Sequence, residues 1–403
     1  MAATALARAP ALGPAAARPS RERLDSVDLL RGVAMVFMAL DHVRDYFTSA
    51  RFDPTDLTQT SAGLFLTRWI THFCAPVFVL LAGTSAFLML ARGKTKREVG
   101  HFLATRGLFL VLLEFTVIRL AWTFNLNYAS DVLFVQVIWV LGISMLMLAA
   151  LIQLPLTVVA AFGIAMIAGH NLLDGFTAAE AGSWAPLWKL LHEQGPIPLR
   201  EGQALFVAYP LVPWIGVMAV GYALGPVLQL PAAERRRTLL RLGAALTVGF
   251  VCLRALNLYG DPAPWSRQAT TGFTLLSFLD TTKYPASLLF LLMTLGPALI
   301  ALAVFERFSG PVARFFVLFG RVPLFYYILH LFLIHGAALA LGTLAGFAPG
   351  QFTSVWMGLP DEWGYGLPVI YLVWGGVVLA LYPACRWFAT VKTRRRDPWL
   401  SYL

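Results

Sequence analysis

Arg31 and His42 lie eleven residues apart within the run Arg23–Phe47, the first long apolar segment of the chain. On a helix that spacing is about three turns, or ~17 Å along the axis. It places a guanidinium near one end of a membrane-length helix and an imidazole well inside it. Ionisable groups are costly in a bilayer and mark function by default. Asp28, Arg31, Met35 and His42 recur at near-helical spacing and form one stripe. Asp45, three residues beyond His42, reaches the same side. Asp41 is adjacent in sequence but points about 100° away on an ideal helix, so Asp45 is preferred over Asp41 as the orienting carboxylate. A carboxylate beside an imidazole raises its basicity and fixes its tautomer, as a general base requires. His42, Asp45 and Asp41 are therefore the candidate catalytic group.

Other polar residues recur in the apolar segments. Arg68 and His72 are four apart on one face, followed by Pro76 and the run Gly83-Thr-Ser85. A third segment carries Arg106, Glu114 and Arg119, and a later one carries Arg254. Asp280-Thr-Thr-Lys-Tyr-Pro285 opens an eighth. Gly320-Arg-Val-Pro through His335 holds Arg321, His330 and His335. By depth, the acids and histidines concentrate in one half, and Arg31, Arg106 and Arg321 in the other. Arginines suit a phosphate-bearing ligand, so Arg31, Asp28 and Arg321 are candidate cofactor-binding residues. His72, Arg68, Lys283, His335 and Glu114 are candidate substrate-binding residues. Each has a plainer reading. Arg44, Arg68, Arg119 and Arg254 can snorkel and pair with Asp45 or Glu114, Arg106 and Arg321 can be topology signals, and His335 can bond a backbone carbonyl. Trp and Tyr are read as interface anchors.

These residues need a scaffold, and the composition names it. The 403 residues are 58% hydrophobic and 13% charged, against about 25% charged in soluble domains. Apolar stretches of membrane length recur throughout, so the fold class is all-α, a polytopic membrane protein. Ten spans are expected, near 27–47, 64–91, 102–123, 131–152, 155–173, 204–228, 238–259, 282–306, 315–341 and 364–389. The net charge of +10 is no sign of nucleic acid, because Lys and Arg gather in three short loops. These hold Arg92, Lys94, Lys96 and Arg97; Arg235, Arg236, Arg237 and Arg241; and Lys392, Arg394, Arg395 and Arg396. With ten spans and both termini cytoplasmic, all three loops fall inside. Loops 48–63, 174–203, 260–281 and 342–363 then face outward. Residues 1–22, rich in Ala, Pro and Arg, read as a disordered tail, with a transit peptide as the alternative. Residues 23–391 form the transmembrane domain, and 392–403 a basic C-terminal tail. Cys74, Cys252 and Cys385 are dispersed, with neither disulfide nor metal-ligand spacing.

Arg31-Gly-Val-Ala followed by an apolar stretch and His42 is similar to the first-helix signature of family-three membrane acyltransferases. The chain more specifically resembles the bacterial branch of the heparan-alpha-glucosaminide N-acetyltransferase catalytic family. The resemblance rests on Ser26-Val-Asp-Leu-Leu-Arg-Gly through Asp41-His42, on Thr71-His-Phe-Cys-Ala-Pro through Gly83-Thr-Ser85, on Tyr209-Pro-Leu-Val-Pro-Trp-Ile-Gly216, on Lys283-Tyr-Pro285 and on Gly320-Arg-Val-Pro through His335. It implies acetyl-CoA as acyl donor and transfer across the membrane to a sugar or glycan hydroxyl or amine, a chemistry that requires no metal. Lysosomal members carry their active-site His in the loop after the first span. Here residues 51–63 contain no His, which leaves His42. The partners implied are membrane lipid, acyl-CoA and the acceptor, in a bacterial cytoplasmic membrane, with homodimerisation left open. Two rivals remain: a proton-coupled transporter using the same intramembrane cluster, and a scaffold of an envelope assembly.

Overall fold

A computed structural model describes residues 24–128, 132–353, 358–395 and 397–402. The expected tail over 1–22 and Arg396 lie outside the described residues. Helix α1 (Asp25–Phe47) is followed by α2 (Ala62–Thr71), α3 (Cys74–Ala91), α4 (Lys96–Leu113) and α5 (Arg119–Thr123). Then come α6 (Val137–Leu151), α7 (Leu156–Gly169), the short α8 (Ala185–Leu191), α9 (Leu211–Ala223) and α10 (Ala232–Leu256). The chain ends with α11 (Thr271–Leu279), α12 (Leu288–Phe305), α13 (Pro311–Arg321), α14 (Pro323–Leu344) and α15 (Leu367–Arg394). Among the described residues, eight helical segments are long and apolar enough to cross a membrane. The protein is an all-α polytopic membrane protein. Of the other two expected segments, one coincides with the charge-bearing α1 and one with α6, which has 15 residues.

Three expected boundaries move. Residues 132–135 and 204–207 are not membrane helix. They contribute β1 (Leu133–Val135) and β3 (Gln203–Val207), which with β2 (Gly195–Arg200) form a sheet of order β1-β3-β2. β1 is parallel to β3 and β2 antiparallel to it. A short apolar run of aromatic and β-branched residues cannot be assigned by periodicity alone. Residues 282–287 precede α12 in a non-helical turn closed by a Lys283–Ala286 bridge. The basic tail is not free either, since Tyr402 shares a 2.8 Å hydroxyl contact with Thr105 and its ring stacks on Phe102.

Contacts place the three basic loops at one end. Arg31 donates to Ser85, so the end of α3 and the start of α1 are neighbours. Gly225 lies against Phe87 near the end of α3, which brings Arg235 to the same end, and Lys392 reaches the Arg321 carbonyl.

Helix α1 is the axis of the bundle. It packs against α2, α3, α12, α13, α14 and α15, so its polar residues face protein rather than lipid. In a membrane, helices gain little from hydrophobic contact with one another and depend on close packing at small residues. At the α1–α13 crossing, a Cβ on Gly32 would overlap the Phe316 carbonyl, and one on Gly320 would overlap the Asp28 carbonyl. Only glycine permits that approach.

Candidate active site

The α1–α13 approach sets Arg31. Its guanidinium donates to the Gly320 carbonyl at 3.2 Å, to Asp28 at 3.2 Å and to Ser85 Oγ at 3.3 Å. Arg31 and Arg106 both line a cavity of about 180 Å³ between α1, α3, α4, α6 and α14. Its other walls are mostly apolar, with Met35, Met38, Phe78, Met89, Leu110 and Met145 among them, and Tyr327 lines it too. Arg31 and Arg106 belong to the basic end. Met38, one turn before His42 on α1, and Tyr327, on α14 with its ring against that of His42, lie farther in.

His42 is buried, with 8% exposure. Its ring packs edge-on to Trp122 and Tyr327, at centroid distances of 4.9 and 5.9 Å. Its Nδ1 lies 2.7 Å from His330 Nε2. His330 Nδ1 lies 2.9 Å from the carbonyl of Tyr326, one turn back on α14. A carbonyl only accepts, so His330 carries its proton on Nδ1 and its Nε2 is an acceptor. His42 must then donate from Nδ1, and its Nε2 keeps a lone pair. Among the described residues that Nε2 makes no hydrogen bond, and it is not among the fully buried unpartnered atoms. One backbone carbonyl thus fixes two tautomers in series and leaves a basic nitrogen open.

The expected orienting role of Asp45 or Asp41 is corrected here. Neither carboxylate bonds His42. Asp45 accepts from Arg44 at 2.6 Å. Asp41 accepts from Arg44 at 2.9 Å, from Arg68 at 2.6 and 2.8 Å, and from Thr71 at 3.0 Å. Buried guanidinium groups must be paired, and this demand claims both carboxylates. His330 takes the place expected of them.

The remaining candidates divide. Arg68, Lys283 and His72 gather around Asp41. Lys283 lies over the rings of Tyr284 and Tyr209, at 5.1 and 6.0 Å. His72 sits at the break between α2 and α3, where Pro76 cannot donate to its carbonyl. The His72 ring leans on Phe290 at 5.4 Å, and its Nδ1 is buried without a hydrogen bond. Glu114 and His335 are elsewhere. Glu114 heads a π-helical turn (Glu114–Ile118) and accepts the Trp139 N–H at 2.8 Å, capping the start of α6. His335 is fully buried, with its two nitrogens 2.8 and 2.6 Å from the carbonyls of Ala121 and Phe352. That matches its plainer reading. Asp28 holds Arg31. Arg321 does not line the cavity; it is 44% exposed and pairs with Asp25 at 3.1 Å, a surface pair of small energetic weight.

In the sequence His330 has depth but no role, and Arg106 stands only as a member of the arginine group with Arg31 and Arg321. The signal for His330 was present in Tyr326-Tyr-Ile-Leu-His330, a histidine four residues after a carbonyl it can reach. Nothing in the sequence pairs it with His42 across 288 residues. Thr71 and Trp122 carried no signal.

No curated protein matches the chain. The model of the family described as heparan-alpha-glucosaminide N-acetyltransferase, catalytic, matches residues 23–259, a stretch holding α1 with Arg31 and His42, the α2–α3 break with His72, and Arg106. With more than half its length covered, the chain belongs to this family of membrane acetyltransferases.

Proposed function

We propose that the protein transfers an acetyl group from acetyl-CoA, bound at the basic end, to a sugar or glycan hydroxyl or amine arriving from the opposite face. The observation that carries this reading is the open Nε2 of His42, fixed by His330, beside an apolar cavity whose far end holds Arg31 and Arg106. The basic end is cytoplasmic under the positive-inside rule. Arg31 and Arg106 receive the anionic part of the donor, and the apolar cavity receives its thioester arm. The acceptor approaches the cluster of Asp41, Arg68, Lys283 and His72.

His42 Nε2 removes the acceptor proton as the acceptor O or N attacks the thioester carbonyl carbon. The tetrahedral intermediate collapses, the C–S bond breaks, and the imidazolium returns its proton to the departing thiolate. The same lone pair could attack the thioester itself and carry the acetyl group. Isotope exchange between CoA and acetyl-CoA without acceptor distinguishes the two routes. Lys283 and Arg68 supply positive charge where the intermediate's oxyanion develops.

Membranes holding the protein, incubated with radiolabelled acetyl-CoA, should pass label to an endogenous glycan. Folded protein that leaves every glycan unlabelled contradicts the proposal. Proton-coupled flux of a solute with no acetyl-CoA consumed would favour a transporter instead.

A further inference from the structure

Away from the acetyl-transfer site, three side chains come together at the end of α7. His170 and Asp174 lie on a 3₁₀ turn (His170–Leu173) and the residue after it. His192 follows α8. One ligand atom from each lies within 4.8 Å of the others. His192 Nε2 already sits 3.1 Å from Asp174 Oδ1, close to the ~3.3 Å between neighbouring ligands of a tetrahedral zinc ion with bonds near 2.0–2.1 Å. The His170 and His192 rings face edge-on at 5.5 Å.

An ion pair between His192 and Asp174 would not explain His170. That ring is 2% exposed, and neither nitrogen has a partner in good hydrogen-bond geometry, although the backbone of Ala286 lies near it. His192 Nδ1 is likewise buried and unbonded. Burying polar nitrogens without partners is costly. A cation ligated by His170 removes part of that cost. We infer that His170, Asp174 and His192 form a binding site for a divalent transition-metal ion of the zinc class, with a fourth position left to water.

The donor set selects the metal. Two imidazoles and a carboxylate suit zinc and its first-row neighbours rather than calcium or magnesium, which take oxygen. Asn171 supplies the outer support. It donates to Asp174 Oδ2 at 2.8 Å and accepts the Leu288 N–H at 2.9 Å. Leu288 begins α12, directly after the 282–287 turn that presents Lys283. The ion therefore ties the 170–192 connection to the turn that borders the acceptor cluster. The acetyl-transfer proposal is not needed for this inference.

The test uses the full-length protein in detergent, stripped with a chelator and titrated with Co²⁺. One equivalent should produce the visible bands of a tetrahedral site, and Zn²⁺ should abolish them. His192→Ala should weaken binding on the order of 10²-fold or more, at least the loss seen when only an outer partner is removed. His101→Ala, changing an exposed histidine on α4, should bind as the wild type does. Asp174→Asn provides a second reading if His192→Ala fails to fold. Wild-type protein without a one-equivalent Co²⁺ site, or folded His192→Ala or Asp174→Asn protein that binds Co²⁺ as tightly as wild type, overturns the inference whatever the acetyl-transfer assay returns.

Discussion

At the scale of the residue, reactivity reduces to where one proton sits. The Tyr326 carbonyl sets the His330 tautomer, and His330 sets that of His42. Removing His330 should release the ring without removing it. His330→Ala should retain acetyl-CoA binding and lose about 10- to 10²-fold in turnover, while His42→Ala should lose on the order of 10²–10⁴-fold. Steady-state kinetics with purified protein measures both, and equal losses in KM rather than kcat would contradict the tautomer relay. Asp41 has a different duty. Its carboxylate compensates the Arg44 and Arg68 guanidinium groups. Asp41→Asn leaves buried positive charge unpaired, which typically costs 3–5 kcal/mol. The melting temperature in detergent should fall sharply, before any question of catalysis arises. Sequence located the imidazole and the charges around it, because depth in an apolar helix is a one-dimensional property. It assigned the wrong orienter, because partner choice among Asp41, Asp45, Arg44 and Arg68 depends on α2, which arrives from a separate part of the chain.

At the scale of the element, close helix approach holds Arg31 to its cavity. Gly32 and Gly320 leave no room for side chains at the α1–α13 crossing. Gly320→Leu should separate these helices, remove the carbonyl contact that Arg31 makes at 3.2 Å, and lower both stability and acetyl-CoA affinity. Thermal melts and donor binding in detergent read the two effects together. Unchanged affinity would mean that Arg31 does not depend on this crossing. The element pattern was readable from hydropathy: the ten expected segments all correspond to helices of the bundle. Their ends were not, since a β-strand such as Ala204-Leu-Phe-Val207 is as apolar as a helix turn, and since the α2–α3 break at His72 arises from one missing N–H at Pro76. Glu114 illustrates the same limit. A carboxylate in a span reads as functional, yet here a π turn aims it at a buried N–H of the first turn of α6, that of Trp139.

At the scale of the whole molecule, the cavity-lining residues Arg31, Met35 and Met38 precede His42 along α1, and the cluster around Asp41 stands beside it. Arg31 and Arg106 belong to the first, so Arg106→Ala should raise the KM for acetyl-CoA with a smaller change in kcat. Lys283 belongs to the second, so Lys283→Ala should spare donor binding and depress turnover. A donor effect from Lys283 or an acceptor effect from Arg106 would break this division. The candidate metal site shows why the sequence was silent about it. His170 and His192 are separated by a connection containing α8, a distance in sequence that fits no compact ligand motif.

Release of free CoA thiol from acetyl-CoA in the presence of a glycan acceptor is the deciding measurement for the role of His42. The purified wild type should release it, His330→Ala should release it more slowly, and a folded His42→Ala protein should lose release almost completely. Release by His42→Ala at the wild-type rate would contradict that role.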